Sequence, residues 1–282
     1  MAKPVVITAD STADLSPALL ERYDIHIIPL TIFLGEESFL DGQGFTPEQM
    51  YARYRQDGTL PHTAAPGEQE FHDFFAPFTE QGFEVVHIDI SAELSASFNT
   101  ASLAARRLPG VYPVDSRMLS SGGGLLALEG AACRDRGMAA ADIAAHLQHL
   151  TEKLSVSFVL DTLTFMWKGG RCSGVTALGA NLLKIKPALR MSQGKLEIYK
   201  KYRGNMKRVY RQFITETLTD KKIRPDHIFM TESGEIPEET LQELLVLVQE
   251  LSGCQQVHHA LTGCTVSSHC GPGTLGLMFV EE

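Results

Sequence analysis

The first half of the chain alternates short apolar runs with longer segments whose apolar residues recur at helical spacing. The runs are Val5–Ile7, Ile25–Phe33, Val85–Ile90 and Val111–Val114. Segments such as Phe71–Phe78 and Phe98–Leu108 lie between or after them and have the length of helices. Buried strands that alternate with helices are typical of a parallel sheet covered on both faces. We therefore expect an N-terminal three-layer α/β/α domain with a mainly parallel sheet, formed by residues 1–150.

The pattern changes near residue 150, where the strand-like runs lose their regular alternation with helices. Gly194-Lys195 separates two of these runs and predicts a hairpin. We expect a second domain over residues 151–282, a two-layer α/β unit with a mixed sheet, and a boundary between His149 and Ser155. The strand-like runs are Val156–Leu160, Ala188–Met191, Leu196–Tyr199, His227–Thr231, Thr265–His269 and Leu277–Val280.

Composition and charge exclude several classes of protein. The chain has 282 residues, of which 44% are hydrophobic and 21% charged, as is usual for a globular protein. Its formal net charge of −9 repels nucleic acid on average. No apolar stretch approaches the roughly 20 residues of a membrane-spanning helix, which leaves only transient membrane contact open. Five widely spaced cysteines without a Cys-x-x-Cys motif, and no leader-like segment, favour a reducing cytoplasm.

A turn rich in hydroxyl groups follows the strand-like run that ends at Ile90. Ser91, Ser95 and Ser97 lie where this run gives way to a helix, and open α/β sheets bind their ligands at such strand ends. Amides at a helix start, together with serine hydroxyls, can hold a carboxylate or a phosphate. Capping of the helix accounts for one of the three serines, so the turn is a candidate ligand site.

Two glycine-rich motifs in the second half bring polar side chains next to accessible backbone. Lys168-Gly169-Gly170-Arg171 places cations on a loop, and His269 precedes the turn Gly271-Pro272-Gly273 at the end of a predicted strand. Glycines permit close approach of a ligand, which favours a binding role for both motifs.

Other polar or glycine-rich segments are better explained by structure. Asp10-Ser11-Thr12 is typical of a helix N-cap, and Gly122-Gly123-Gly124 of a helix start packed closely on a sheet. His258 and His259 would point to opposite faces of a strand, so no metal site is expected there. The sequence has no nucleophile elbow, Walker loop or His-Glu-x-x-His helix. We therefore expect no catalytic residue, no metal and no cofactor.

The ordered set of motifs resembles the DegV family, the lipid-binding subunits of bacterial fatty acid kinase, over essentially the whole chain. The matching segments are Asp10-Ser11-Thr12-Ala13-Asp14-Leu15, Ile28-Pro29-Leu30, Asp41-Gly42, Thr63 with Pro66, Leu94-Ser95, Val114-Asp115-Ser116, Lys168-Gly169-Gly170-Arg171, Ile185-Lys186-Pro187 and His269-x-Gly271-Pro272-Gly273. Each motif is unspecific alone, but the ordered set is highly specific. The resemblance implies the two-domain fold expected above, with an acyl chain buried between or within the domains.

The resemblance also implies functions for individual residues. Thr63, Ser95 and His269 would bind a fatty-acid carboxylate, while Arg171 and Arg203 would serve recognition of a kinase or an acyl phosphate. The chain would be a non-catalytic cytoplasmic subunit whose partners are a long-chain fatty acid and a separate ATP-dependent kinase. The departures from the family pattern thin the polar surroundings of the head group but leave its three binding residues intact; they are Ala64, Ala65, Gly67, Ala96 and Cys270.

The chemistry of these residue types fits the same ligand. Hydroxyl groups can orient a carboxylate without a salt bridge that draws charge from its oxygens. Burial of about fifteen methylenes at about 0.8 kcal/mol each gives an upper limit of about 12 kcal/mol for the acyl chain. Candidate lining residues, most of which we expect to be ordinary core, are Ile28, Leu30, Phe98, Leu125, Phe158, Phe165, Met191 and Phe279.

Two other functions stay open at this point. A substrate-binding subunit of a small-hydroxyketone kinase would have a small polar pocket, with His269 or another histidine as a covalent anchor. A lipid carrier would hold the acyl chain without a kinase partner. Retention of an acyl chain during purification would exclude the first of these alternatives.

Overall fold

The computed structural model describes residues 3–172 and 185–282, which form three sheets and the helices packed on them. The strands are β1 (Val5–Asp10), β2 (Ile25–Ile28), β3 (Thr31–Leu34), β4 (Glu37–Leu40), β5 (His62–Ala64), β6 (Glu84–Asp89), β7 (Val111–Asp115), β8 (Leu154–Val159), β9 (Lys186–Ser192), β10 (Lys195–Tyr202), β11 (Ile223–Glu232), β12 (Gln256–Leu261) and β13 (Leu275–Glu281). The helices are α1 (Pro17–Tyr23), α2 (Pro47–Asp57), α3 (Glu68–Glu80), α4 (Ser97–Ala105), α5 (Ser121–Asp135), α6 (Ala140–Leu150), α7 (Thr164–Gly169), α8 (Met206–Leu218), α9 (Glu238–Ser252) and α10 (Cys264–Cys270), with short 3-10 helices at Ser11–Ala13 and Thr151–Lys153. Over these residues, no helix combines the length and the apolar character needed to cross a bilayer.

The N-terminal sheet is parallel, with the strand order β2-β1-β6-β7. Helices α3 and α4 cover one face, where Phe71, Phe75 and Ala101 pack on Val85 and Val111. Helices α5 and α6 cover the other face and bury the opposite side of the strands. This arrangement confirms the predicted three-layer α/β/α fold.

The C-terminal sheet is mixed, with the order β10-β9-β8-β13-β11-β12 and parallel pairing only between β11 and β12 within the described strands. Helices α8 and α9 pack on its outer face, where Phe213 and Leu244 belong to one core with Phe279. The predicted hairpin is present between β9 and β10 and turns through Gly194, which has a φ of +81°. The two-layer mixed α/β arrangement is therefore confirmed as well.

Helix α5 lies between the two sheets and joins their cores. Its first turn contains the glycine run, and a Cβ added to Gly122 would come within 2.6 Å of Val156 Cγ2 in the C-terminal sheet. A Cβ added to Gly124 would come within 2.7 Å of the Ala13 carbonyl oxygen on the other side. The run thus has the packing role expected from the sequence, although the helix begins at Ser121 and contains the glycines.

A small antiparallel sheet, β4-β3-β5, extends from the N-terminal sheet. The prediction of one strand over Ile25–Phe33 is wrong, because the chain changes sheets at Pro29 and Leu30. Proline has no backbone N–H to continue a ladder, and Leu30 instead accepts a hydrogen bond from the amide of Asp41 at 2.9 Å. The new direction of the chain brings Thr63, on β5, next to α10.

The prediction of a strand over Thr265–His269 is also wrong, because these residues form most of α10. The helix begins where two buried carboxylates accept backbone amides: Asp14 from Gly263 and Asp41 from Cys264, each at 2.7 Å. Carboxylates satisfy the unpaired amides of a helix start and favour its positive end. These tertiary contacts override the strand propensity of the sequence, and they place His269 in the last turn of a helix.

Replacement of Asp41 by alanine should destabilise the fold. The Cys264 amide and the Ser11 hydroxyl, at 2.7 and 2.9 Å from the carboxylate, would both lose their acceptor inside the protein. We expect the free energy of unfolding in urea to fall by about 1–3 kcal/mol, the usual cost of leaving a buried polar group unsatisfied. The control Asp73→Ala removes an exposed carboxylate and should stay within about 0.5 kcal/mol of the parent. Equal stability of both variants would contradict the role given to Asp41.

Candidate functional site

A cavity of about 270 Å³ lies between the carboxyl end of the N-terminal sheet and the inner face of the C-terminal sheet. Its apolar lining comes from both halves of the chain and consists of Leu30, Ile90, Leu94, Leu119, Phe158, Met166, Leu196, Val266 and Met278. Thr63, Ser95, Arg171 and His269 also line it. The other polar residues of the lining are Ser120, Thr231, Glu232, Thr262, Thr265 and Thr274. The exposed wall is still largely apolar in area, with polar groups contributed by both halves of the chain.

The three residues expected to bind a carboxylate come from separate elements and line the same cavity. Thr63 lies on β5, Ser95 in the turn before α4, and His269 in the last turn of α10. Thr63 Oγ1 and His269 Nε2 are 3.0 Å apart and share a hydrogen bond. Residues more than 200 positions apart in sequence therefore meet at one polar corner.

The hydroxyl oxygen of Ser95 accepts a hydrogen bond within the protein, while its proton remains able to donate to a ligand. Its Oγ accepts a hydrogen bond from the Ser97 amide at 3.2 Å, at the start of α4. Among the residues that the structure describes, no acceptor holds the Ser95 hydroxyl proton. Since a hydroxyl is both a donor and an acceptor, Ser95 can accept the Ser97 amide and still donate to a ligand.

The side chain of His269 is half-buried, with its Nδ1 shielded from solvent, and the imidazole is neutral at pH 7. Burial, and next the positive charge of Arg171, lower the pKa of His269 to about 4. Its Nδ1 has no hydrogen-bond partner among the described residues and lies against Gly169, where an added Cβ would come within 2.4 Å. A buried N–H without an acceptor is costly, so we assign the proton to Nε2. In that tautomer Nε2–H donates to Thr63, and the Thr63 proton is left for a ligand.

Several other hydroxyl groups that line the cavity are already bonded within the protein. Ser120 donates to Asp14 at 2.5 Å, and Thr274 donates to the carbonyl oxygen of Cys270 at 3.0 Å. Thr262 Oγ1 is paired with Ser267 Oγ at 2.6 Å. These groups hold the walls together, which distinguishes them from Thr63 and Ser95.

The two arginines expected to act in recognition occupy different places. Arg171 is exposed, lines the cavity, and also lines an outer cleft together with His62 and Lys168. Its Nη1 donates to the Gly169 carbonyl oxygen at 2.7 Å. Arg203 is exposed after the end of β10 and lies outside the lining of both the cavity and the cleft. The structure therefore brings together four of the five predicted site residues.

The apolar lining was predicted only in part. Leu30 and Phe158 line the cavity, whereas Phe98 is half-buried on α4 and the remaining candidates are core residues: Ile28, Leu125, Phe165, Met191 and Phe279. Sequence reasoning missed most of the wall, although Leu94 could have been found because it precedes Ser95 in the same motif. Three departures from the family pattern, at Ala65, Ala96 and Cys270, also line the cavity and make its wall less polar.

Comparisons with known proteins agree with this fold and site. A family model described as uncharacterised protein, DegV family, matches residues 4–282. A DegV domain-containing protein of Clostridium perfringens is 30% identical over 282 residues, which is 99% of each chain. A solved structure that describes the fatty acid binding of a DegV family protein of Thermus thermophilus matches with a TM-score of 0.88 and 28% identity over 100% of both chains.

A hypothetical protein of Thermotoga maritima, whose structure reveals a fatty acid binding function, matches with a TM-score of 0.85 and 26% identity over 100% of both chains. The similarity extends over the whole length of each partner, so it includes every element that lines the cavity. This chain belongs to the DegV family.

Proposed function

We propose that this chain binds a long-chain fatty acid in the cavity, presents its carboxylate to a separate ATP-dependent kinase in the cytoplasm, and holds the acyl phosphate that forms. The observation that carries the proposal is the pair of hydroxyls, Thr63 and Ser95. Their oxygens are already occupied, and their protons remain for a ligand in one largely apolar cavity. The fatty acid binding of the Thermus and Thermotoga relatives supports the same ligand class.

The acyl chain would lie between the two domains proposed from the sequence, residues 1–150 and 151–282. Leu30 and Ile90 line the cavity from the first, and Phe158 and Met278 from the second. The cavity volume of about 270 Å³ is close to the lower end of small-molecule pockets, which start at about 300 Å³. An apolar wall of this kind suits a hydrocarbon chain, whereas a small hydroxyketone would leave most of its apolar area uncovered.

The head group would be held by neutral donors. With His269 neutral and its Nε2 bonded to Thr63, the carboxylate would receive hydrogen bonds from Thr63 and Ser95 without a direct counter-ion. One carboxylate oxygen could then attack the γ-phosphorus of ATP. As that bond forms, the bond from the γ-phosphorus to the β,γ-bridging oxygen breaks and ADP leaves, with no proton transfer required. The chain would supply position and the kinase would supply the nucleotide site.

Arg171 would meet the phosphoryl group where the cavity opens toward the outer cleft. It lines both spaces, and His62 and Lys168 line the same cleft. These groups give local positive charge to a chain with a net charge of −9. Arg203 is exposed and away from the cavity, so its part would be contact with the kinase. Both arginines would act after the lipid is bound.

Loss of either head-group hydroxyl should weaken fatty acid binding. Thr63→Ala and Ser95→Ala should each cost about 1.5–3 kcal/mol, because each removes a hydrogen bond to a charged group, and Kd should rise roughly 10- to 150-fold. Phosphorylation of the lipid that remains bound should also slow, since the carboxylate would lose its orientation. Ser102→Ala, on α4 outside the cavity lining, is the control. Parental affinity and parental phosphorylation in both variants would refute the assignment.

Gly169→Ala should weaken binding through His269. The new Cβ would come within 2.4 Å of Nδ1 and push the imidazole away from Thr63. A double-mutant cycle makes the test specific, because His269→Ala leaves room for the added methyl group. We expect Gly169→Ala to raise Kd about tenfold in the parent and by less than about twofold in the His269→Ala background. Equal effects in both backgrounds would show that Gly169 acts independently of His269.

Arg171→Ala and Arg203→Ala should retain bound fatty acid but slow its phosphorylation by the cognate kinase. Neither side chain is expected to bind the acyl chain, and both carry charge that an incoming anionic group would meet. Arg106→Ala, an exposed arginine at the end of α4, is the matched control. Retained lipid is measured by mass spectrometry, and turnover is expressed per bound lipid. Loss of lipid with normal turnover of the remainder would contradict the roles of these arginines, and parental turnover in every variant would favour a carrier without a kinase partner.

A further inference from the structure

A second cluster of chemically reactive side chains lies where α5 packs against α6. Glu129 and Cys133 are four residues apart on α5 and therefore share one face of that helix, and His146 faces them from α6. Glu129 Oε1 is 3.1 Å from His146 Nε2 and 3.6 Å from Cys133 Sγ. The three ligand atoms all lie within 4.8 Å of one another. None of these residues lines the fatty acid cavity.

We propose that Glu129, Cys133 and His146 bind a zinc ion that links α5 to α6. Zinc takes thiolate sulfur at about 2.3 Å and imidazole nitrogen or carboxylate oxygen at about 2.0–2.2 Å in a tetrahedral arrangement. Those bond lengths require the ligand atoms to be roughly 3.3–3.6 Å apart, and two of the separations are already 3.1 and 3.6 Å. The fourth position would be left to water, because His146 lies on the solvent side with 40% of its side chain exposed.

The surrounding residues orient the carboxylate for this role. Arg224 donates to Glu129 Oε2 at 2.8 Å and is itself held by Asp226 Oδ1 at 3.0 Å. Oε2 is therefore occupied, and Oε1 is turned toward Cys133 and His146. Hydrogen bonds of this kind to the outer atom of a ligand are usual around metal sites.

A cation already lies against two of the three ligand atoms. Arg136 Nη2 donates to Glu129 Oε1 at 3.3 Å and to Cys133 Sγ at 3.1 Å. The Arg136 side chain is 60% exposed, so it can turn into solvent at little cost in buried area. The arrangement thus attracts positive charge, and a zinc ion would replace the guanidinium while the Cys133 thiol loses its proton.

The sequence predicted no metal site, because Glu-x-x-x-Cys with a histidine thirteen residues later matches none of the usual zinc motifs. Packing of α5 on α6 brings the three side chains together. In that respect the site resembles the fatty acid cavity, whose polar corner is also assembled from separate elements.

Cobalt substitution tests the proposal on the full-length chain. Co²⁺ added to metal-free protein should bind one equivalent and give a thiolate-to-cobalt charge-transfer band, which Zn²⁺ should abolish by displacement. Cys133→Ser should remove the band, and Cys133→Ser and His146→Ala should each weaken Zn²⁺ binding at least about tenfold in competition with a chromophoric chelator. Cys254→Ser removes another buried cysteine and should leave the band unchanged.

Arg136→Ala provides the second arm of the test. Removal of the competing guanidinium should strengthen Zn²⁺ binding several-fold and should not be needed for binding. A band that depends on Cys254, or no band in the parent chain, would overturn the proposal. A band seen only in Arg136→Ala would overturn it too, since the guanidinium would then exclude the metal from the natural chain. Fatty acid content enters none of these readouts, so the outcome is independent of the function proposed above.

Discussion

Two buried carboxylates decide where the polar corner of the cavity lies. Asp14 and Asp41 come from the N-terminal half, yet they accept the Gly263 and Cys264 amides at the start of α10, each at 2.7 Å. Burial raises the pKa of both carboxyl groups, against the effect of these hydrogen bonds. A side chain at residue 263 would collide with Asp41, since an added Cβ would lie 2.8 Å from its Oδ1. These contacts hold the start of α10 close to Asp14 and Asp41, and so they set the position of His269 in its last turn.

A second buried network fixes the turn that carries Ser95. The Ser97 hydroxyl lies 3.0 Å from Asp10 Oδ2 and 2.9 Å from Asp89 Oδ1, but it has one proton and can donate to one of them. Burial, and next the charge of Asp89, raise the pKa of Asp10 to about 6. Asp10 also accepts the Ile90 amide at 3.0 Å, at the end of β6. These contacts hold the first turn of α4, and they fix the Ser97 amide that donates to Ser95 Oγ.

Sequence patterns predicted what depends on local periodicity and missed what depends on long-range contacts. The parallel sheet and the hairpin at Gly194 follow from apolar runs and turn residues, and the structure confirms both. Thr265–His269 reads as a strand, because the carboxylates that make it a helix lie more than 220 residues away. Thr63 and Ser95 were predicted because they belong to motifs that occur along this chain in the same order as in the DegV family. The apolar wall was mostly missed, since a leucine that faces a cavity and one that fills a core look alike in sequence.

Both networks point to the same electrostatic design for the proposed site. The carboxyl groups of Asp10, Asp14 and Asp41 lie behind the wall, where amides and hydroxyls satisfy them. Glu232 does line the cavity, but its carboxylate accepts the Gly234 amide, and the free donors at the polar corner are the neutral hydroxyls of Thr63 and Ser95. His269 takes part as a neutral imidazole because its burial and the nearby Arg171 oppose protonation. A bound carboxylate would therefore keep its charge on oxygen, with Arg171 the nearest positive group identified among the described residues that line the cavity. A direct salt bridge would hold the fatty acid more tightly but would draw that charge away. Hydroxyl donors favour a carboxylate that is held in place and still able to react.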